Sequence, residues 1–201
     1  MSKIAGKGCP RIIPDGEKKP LKDSERSIIK NYRKHIWTKF VKAVKEYNLI
    51  EEGDRIAVGI SGGKDSILMA KLFQELQKHG QVKFEVVFLA MDPGYHPDIK
   101  KLLIENCEHL NIPIHIYESG IFDVVDKMAK DYPCYLCARM RRGSLYAKAE
   151  EFGCNKLALG HHYNDVIETT MLNILYGGNF KTMLPKLKSK NFKNLELIRP
   201  M

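Results

Sequence analysis

No stretch of about 18 apolar residues occurs anywhere in the 201-residue sequence, which excludes a membrane-spanning helix. The opening MSKIAGKGCPRIIPDGEKKP lacks the apolar core of a secretory signal, being charged and cut by Pro10, Pro14 and Pro20. Cysteine is scarce, with five in all. A chain of this size buries roughly 70% of its unfolded surface and needs no disulfide staples. Reduced thiols or metal ligands in a cytoplasm are therefore expected instead. Internal repeats and low-complexity tracts are also absent. Composition excludes wholesale disorder, at 44% hydrophobic and 28% charged.

What the sequence has in excess is positive charge: 33 Lys and Arg against 24 acids, a formal net charge of +9. That balance favours a polyanionic partner. The charge is also clustered. Lys181, Lys186, Lys188, Lys190, Lys193 and Arg199 share the last stretch with one acid, Glu196, and Arg139, Arg141 and Arg142 stand beside a cysteine pair. Clustering of this kind is the electrostatic footprint of nucleic-acid binding.

Residues 1–50 read as a basic lead-in followed by a long amphipathic helix capped at Ser24. Its apolar face is Ile28, Ile29, Tyr32, Ile36, Phe40, Val41, Val44 and Tyr47. From residue 51 to 201, apolar runs at 55–60, 84–91, 112–117, 156–160 and 195–199 alternate with helical patterns. Such alternation predicts an α/β, doubly wound domain whose mainly parallel five-stranded sheet is covered on both faces. Ligands of these sheets bind beyond the carboxyl ends of the strands. Ser61, Asp92 and the run His161–Asp165 fall at such ends.

The sharpest signal is Ser61-Gly62-Gly63-Lys64-Asp65-Ser66, between an apolar strand and a helix. Paired glycines let backbone amides converge on one point, and the following helix directs its positive end there. Ser61 and Ser66 add hydroxyl donors and Lys64 a full charge, so the expected ligand is a phosphate. The loop is not a G-x-x-x-x-G-K-[ST] P-loop, which would need glycine at Val58 and a hydroxyl at Asp65. An aspartate in a phosphate cradle repels the anion unless a cation intervenes, so Asp65 predicts Mg²⁺. The bland alternative is a Gly-Gly turn with a helix cap.

Cys134 and Cys137 open a further helix, where the dipole favours thiolates. Half a zinc site, a redox dithiol and part of an iron–sulfur site all fit this C-x-x-C. Cys107 and Cys154 read as core thiols, and Cys9 lies in the lead-in. Asp165 is either a first-turn acid that suits the helix dipole or a carboxylate facing the glycine loop across the switch point, sharing its magnesium. The histidines lack the H-E-x-x-H spacing of a zinc helix.

The hexapeptide matches the PP-loop of the ATP pyrophosphatase superfamily, with its adenine nucleotide alpha hydrolase-like fold. That resemblance implies ATP cleaved between its α and β phosphates. With EYNLIEEGDRIAVGISGGKDS, PCYLCARMRRGSLY and GHHYNDVIETTMLNILYGG, the chain resembles the tRNA 2-thiocytidine synthetase family from about Ile29 onward. The likeness implies sulfur transfer to cytidine 32 of tRNA. Residues Ser61, Gly62, Gly63, Lys64, Asp65 and Ser66 would bind the phosphates, and Gly59, Met91 and Gly160 would complete the ATP site. Mg²⁺ would sit on Asp65 and Asp165, and Cys134 and Cys137 would be two of three ligands to a [4Fe-4S] cluster. Lys64, Arg141 and Asp165 would act in catalysis. Implied partners are tRNA and sulfide or a sulfur-donor protein, with a homodimer allowed and no membrane. In the family Asn164 is commonly aspartate, and the third cluster cysteine follows the fifth strand. The sequence therefore reads as the amino-terminal portion of a longer protein.

Rival readings share the loop. A PP-loop amidoligase or lysidine-type synthetase adenylates in the same way but needs neither Cys134 nor Cys137. A non-catalytic nucleotide- or RNA-binding module would carry structural zinc. A cluster-dependent desulfurase would run without consuming ATP.

Overall fold

The computed structural model describes residues 18–119, 121, 133–189, 191–192 and 194–201, with the backbone alone at 133–135. The lead-in with Cys9 and the Cys134 side chain therefore lie outside the described residues. Among those described, the strands are β1 (Arg55–Ile60), β2 (Glu85–Asp92), β3 (Ile114–Glu118), β4 (Lys156–Ala158), β5 (Lys186–Lys188) and β6 (Glu196–Ile198). The helices are α1 (Leu21–Arg26), α2 (Thr38–Glu46), α3 (Lys64–His79), α4 (Pro97–His109), α5 (Pro133–Glu151) and α6 (Tyr163–Leu175).

The sheet order is β3-β2-β1-β4-β6-β5. All pairings are parallel except β5 with β6. This is the expected doubly wound α/β sheet, with six strands rather than five. The additional strand, Lys-Leu-Lys, is a half-exposed antiparallel edge whose short polar sequence carries no apolar run.

Alternate residues of the central strands enter different cores, as a sheet covered on both faces requires. Ile56, Val58 and Ile60 face one core with Phe88 of β2 and with Met69, Phe73 and Leu103 from α3 and α4, whereas Ala57 faces the other with Leu89, Ala149 and Leu157. Beyond β1 the chain passes to β2 on one side, and β4 pairs on the other. The switch point thus lies at the carboxyl ends of β1 and β4.

The extension docks on the first core through buried Ile28, Trp37, Phe40 and Val44. Phe40 meets Phe73 edge-on at 5.6 Å. The buried Lys71 ammonium ties α3 to α1 through Glu25 Oε1 at 2.8 Å and caps α4 through the Leu110 carbonyl at 2.9 Å. Three expectations for this segment are corrected. The helix begins at Leu21 behind Pro20, which needs no amide bond and already has the φ a helix start requires, rather than at a Ser24 cap. Two π-helical stretches, Ser27–Asn31 and Arg33–Trp37, interrupt it. They rotate the apolar stripe, so Tyr32 is exposed and Trp37 takes a core position, while Tyr47 is exposed as the residue that ends the last helix of the segment.

Candidate functional site

The site starts where β1 ends. Gly62 has φ +81°, a left-handed conformation that glycine adopts without a Cβ penalty, and Gly63 precedes the first residue of α3. Ser66 holds the bend closed: its hydroxyl donates to the Gly63 carbonyl at 2.9 Å and accepts from the Ser61 amide at 3.2 Å. The Gly63 amide donates to Ser61 Oγ at 3.4 Å. The amides of Lys64, Asp65 and Ser66 have no acceptor among the described residues. These are the free first-turn donors of a helix, at its positive end.

Gly160, just past β4, backs this turn. A Cβ there would lie 3.3 Å from the Ser66 nitrogen and 3.4 Å from the Asp65 carbonyl carbon. The loop, β2, β4 and α5 together surround a cavity of about 410 Å³, within the size range of small-molecule sites. Of the expected ATP residues, Gly59, Ser61, Gly63, Asp65, Ser66, Met91 and Gly160 line it, as does Arg141 from α5. Its apolar wall is Leu89, Met91, Leu145 and Leu159.

Gly62, Lys64 and Asp165 do not line this cavity. The Lys64 side chain is largely exposed and pairs with Asp65 Oδ2 at 2.8 Å. Asp165 Oδ2 accepts the His162 amide at 2.7 Å in a reciprocal capping box, while Oδ1 has no partner among the described residues. No group of three His, Cys, Asp or Glu side chains that could hold a metal occurs among the described residues. One carboxylate still suits Mg²⁺, which binds through one or two carboxylates plus substrate phosphates.

Sequence reasoning missed Tyr95 as a lining residue; Arg142, from the basic cluster, and His161, from the run after the fourth strand, line the cavity as well. Burial, together with the Arg199 and Arg142 guanidinia, holds the His161 imidazole below its ordinary value, against the pull of Asp165. His161 is therefore a neutral wall residue beside guanidinium groups that pair with no carboxylate among the described residues. Tyr95 could have been found from Asp92-Pro-Gly-Tyr, a turn signal at the end of a strand.

Cys137 is half-buried and packs with Leu136 and Met140 against Met91 and Ile121, so its thiol adjoins a residue of the cavity wall. Cys134 starts the same helix one turn earlier. Soft thiolates at this spacing suit one edge of an iron–sulfur cluster. Cys107 and Cys154 are buried core thiols, as expected, and burial pushes Cys107 up to about 11.

PP-loop domains match residues 32–201. A tRNA-cytidine(32) 2-sulfurtransferase of Alcanivorax borkumensis is 40% identical over 182 residues, covering 88% of this chain and 63% of its own length. One of Vibrio parahaemolyticus is 44% identical over 164 residues, covering 79% of this chain and 54% of its own. The chain thus spans only 63% and 54% of these relatives. The U34-tRNA thiolase NcsA of Methanococcus maripaludis, solved with its [4Fe-4S] cluster, shares the fold at TM-score 0.65 and 23% identity. That alignment covers 100% of this chain and 67% of the thiolase. No helix among the described residues is long and apolar enough to cross a membrane.

Proposed function

The chain belongs to the PP-loop family, and from that premise we propose that it serves the ATP-dependent thiolation of a tRNA base. The target is cytidine 32, the base named for its sulfurtransferase relatives. One observation carries this reading: Asp65 and Ser66, with their free amides at the start of α3, and the arginine-bearing turn of the cysteine helix α5 line a single cavity. A phosphate-binding bend alone would suit any adenylating enzyme. Cys137 one turn from Arg141, and Cys134 two turns from it, give sulfur a place beside it.

The base's C2 oxygen attacks the α-phosphate of ATP and pyrophosphate leaves. Sulfide then adds at C2, and AMP departs with the oxygen. Adenylation is needed because an amide-like carbonyl oxygen is a poor leaving group. The Lys64, Asp65 and Ser66 amides hold the departing pyrophosphate, aided by the positive end of α3. Arg141 stabilises charge developing at the α-phosphate. Leu159 and Met91, beside Gly59, form the adenine slot. A Cβ at Gly59 would come within 3.1 Å of Leu159 Cδ2 and narrow that slot. Asp65 and the free oxygen of Asp165 would hold Mg²⁺, and Lys64 supplies positive charge to the loop. Cys134 and Cys137 would hold a [4Fe-4S] cluster, whose chemistry when bound is to carry the transferable sulfur.

Clustered basic residues would bind the tRNA backbone without reading bases. Such a substrate makes the cytoplasm the site of action. A homodimer finds support in α6, which buries none of its residues and leaves Tyr163, Ile167, Met171 and Leu175 exposed. The test is anaerobic reconstitution with iron and sulfide, followed by nucleoside analysis of tRNA incubated with ATP. The expected product is 2-thiocytidine that requires ATP, Cys134 and Cys137. Activity surviving Cys134→Ser/Cys137→Ser would indicate the amidoligase reading, and no thiolated nucleoside would remove the proposal.

A further inference from the structure

Tyr95 stands in the cavity without a role in the steps above. Among the described lining residues it provides the only phenyl-type ring. It is also held in place before any ligand arrives. Asp92, the last residue of β2, is buried, and its Oδ1 accepts the Tyr95 amide at 2.7 Å and the Gly94 amide at 2.9 Å. The other oxygen of that carboxylate is paired with Lys100 at 2.9 Å. Gly94 takes φ +107°, which brings the chain back so that the next residue faces the strand ends. The Tyr95 ring packs on the main core and is half-buried. Arg141 lines the same cavity; burial pushes the Tyr95 hydroxyl up, against the pull of that guanidinium.

The thiolation reading, on which this inference rests, needs two bases in one site. Adenine has the aliphatic slot beside Gly59. The target base must present its C2 oxygen near Arg141, and a flat, preordered aromatic surface there is the chemistry that recognises a nucleobase irrespective of its hydrogen-bonding edge. We propose that Tyr95 is the stacking platform for the target pyrimidine of the RNA. It is a substrate-binding residue set by the Asp92 turn, and the ring rather than the hydroxyl does the binding.

The same chemistry could serve adenine, so the test has two arms on the full 201-residue chain. The probes are the non-hydrolysable analogue AMP-CPP and a tRNA anticodon stem-loop with cytidine at position 32. Tyr95→Leu, which keeps an apolar side chain, should weaken stem-loop binding about tenfold and leave AMP-CPP affinity and the melting temperature unchanged. Tyr95→Phe should bind both as the native chain does. Tyr95→Trp adds a reporter to the single buried Trp37. Its emission should be quenched by the stem-loop in the presence of AMP-CPP, and not by a stem-loop abasic at that position.

Native-like stem-loop binding by Tyr95→Leu overturns the proposal, as does equal loss in Tyr95→Phe. Quenching by AMP-CPP alone, with weakened nucleotide binding in Tyr95→Leu, assigns the ring to adenine and also overturns it. Failure of the parent reading looks different: the native chain itself then retains no stem-loop.

Discussion

Gly160→Ala isolates the phosphate grip from the rest of the fold. The added Cβ would stand 3.3 Å from the Ser66 nitrogen and 3.4 Å from both Ser66 Cα and the Asp65 carbonyl carbon. All three neighbours are backbone, so none can swing away as a side-chain tip would. Relief requires the first turn of α3 to move by a few tenths of an ångström. Ser66 is bonded to Gly63 at 2.9 Å and to Ser61 at 3.2 Å, so the whole bend moves with it. A hydrogen bond to a charged acceptor contributes about 1.5–3 kcal/mol. Partial misalignment of two or three such amides should therefore cost about 1–2 kcal/mol of binding, roughly 5- to 30-fold in Kd. One overpacked methyl should cost about 1 kcal/mol of stability or less. Isothermal titration with AMP-CPP, alongside a melting curve, reads both quantities. Gly143→Ala is the control, because a Cβ there would meet nothing within 4 Å and the residue does not line the cavity. It should lose less affinity than Gly160→Ala. If Gly160→Ala binds the analogue as tightly as the native chain, the first-turn amides are not the phosphate site.

Lys156→Met should destabilise the chain by about 3 kcal/mol in urea titrations, because Lys156 and Asp54 are both buried and paired at 2.7 Å. Nucleotide affinity should be untouched, since that pair lies at the opposite end of the strands. His161 should make stability fall in mild acid. Its folded value lies below 6.5, so as pH drops the unfolded chain binds the proton first. The contribution is complete above the ordinary value and declines below it, and His161→Asn should flatten the slope below about pH 6.5. Iodoacetamide at about pH 8 should label Cys137 in the folded chain and spare Cys107 and Cys154 until unfolding. Peptide mapping that finds Cys107 modified in the native state would contradict its burial. Binding of tRNA should weaken with salt in proportion to the phosphates neutralised, seen as a linear log–log plot.

The sheet centre was legible because buried parallel strands leave continuous apolar runs. Arg55–Ile60 was expected at those bounds and forms there. The glycine bend was legible for a related reason, since its conformation demands particular residues in a particular order. The edge was not. Lys186–Lys188 read only as part of a basic tract, yet it pairs with β6, and Lys186 reaches Glu51 at 3.1 Å and the Asn48 carbonyl at 2.9 Å. One lysine counted as free charge for nucleic acid thus belongs to the fold. The apolar spacing of α6 predicts a helix, which forms, yet no residue of it is buried. Periodicity reports that a helix has an apolar side, and says nothing of what covers it. Tyr95 escaped because its placement comes from a turn and a buried carboxylate, which leave no periodic trace.

The two widened turns of the amino-terminal extension have a consequence for phase. Ile28 and Trp37, nine positions apart, both point into the core. An unbroken α-helix turns about 100° per residue, so nine residues would turn about 900° and leave the two on opposite sides. Each π turn absorbs one residue without advancing the face, which brings the rotation to about 700°, within about 20° of alignment. Removing Tyr32 alone would let one of the two wide turns close to an α turn and leave the rotation at about 700°. Removing two residues between the anchors would close both turns and restore a regular rod with both anchors still seated, so either deletion should be tolerated.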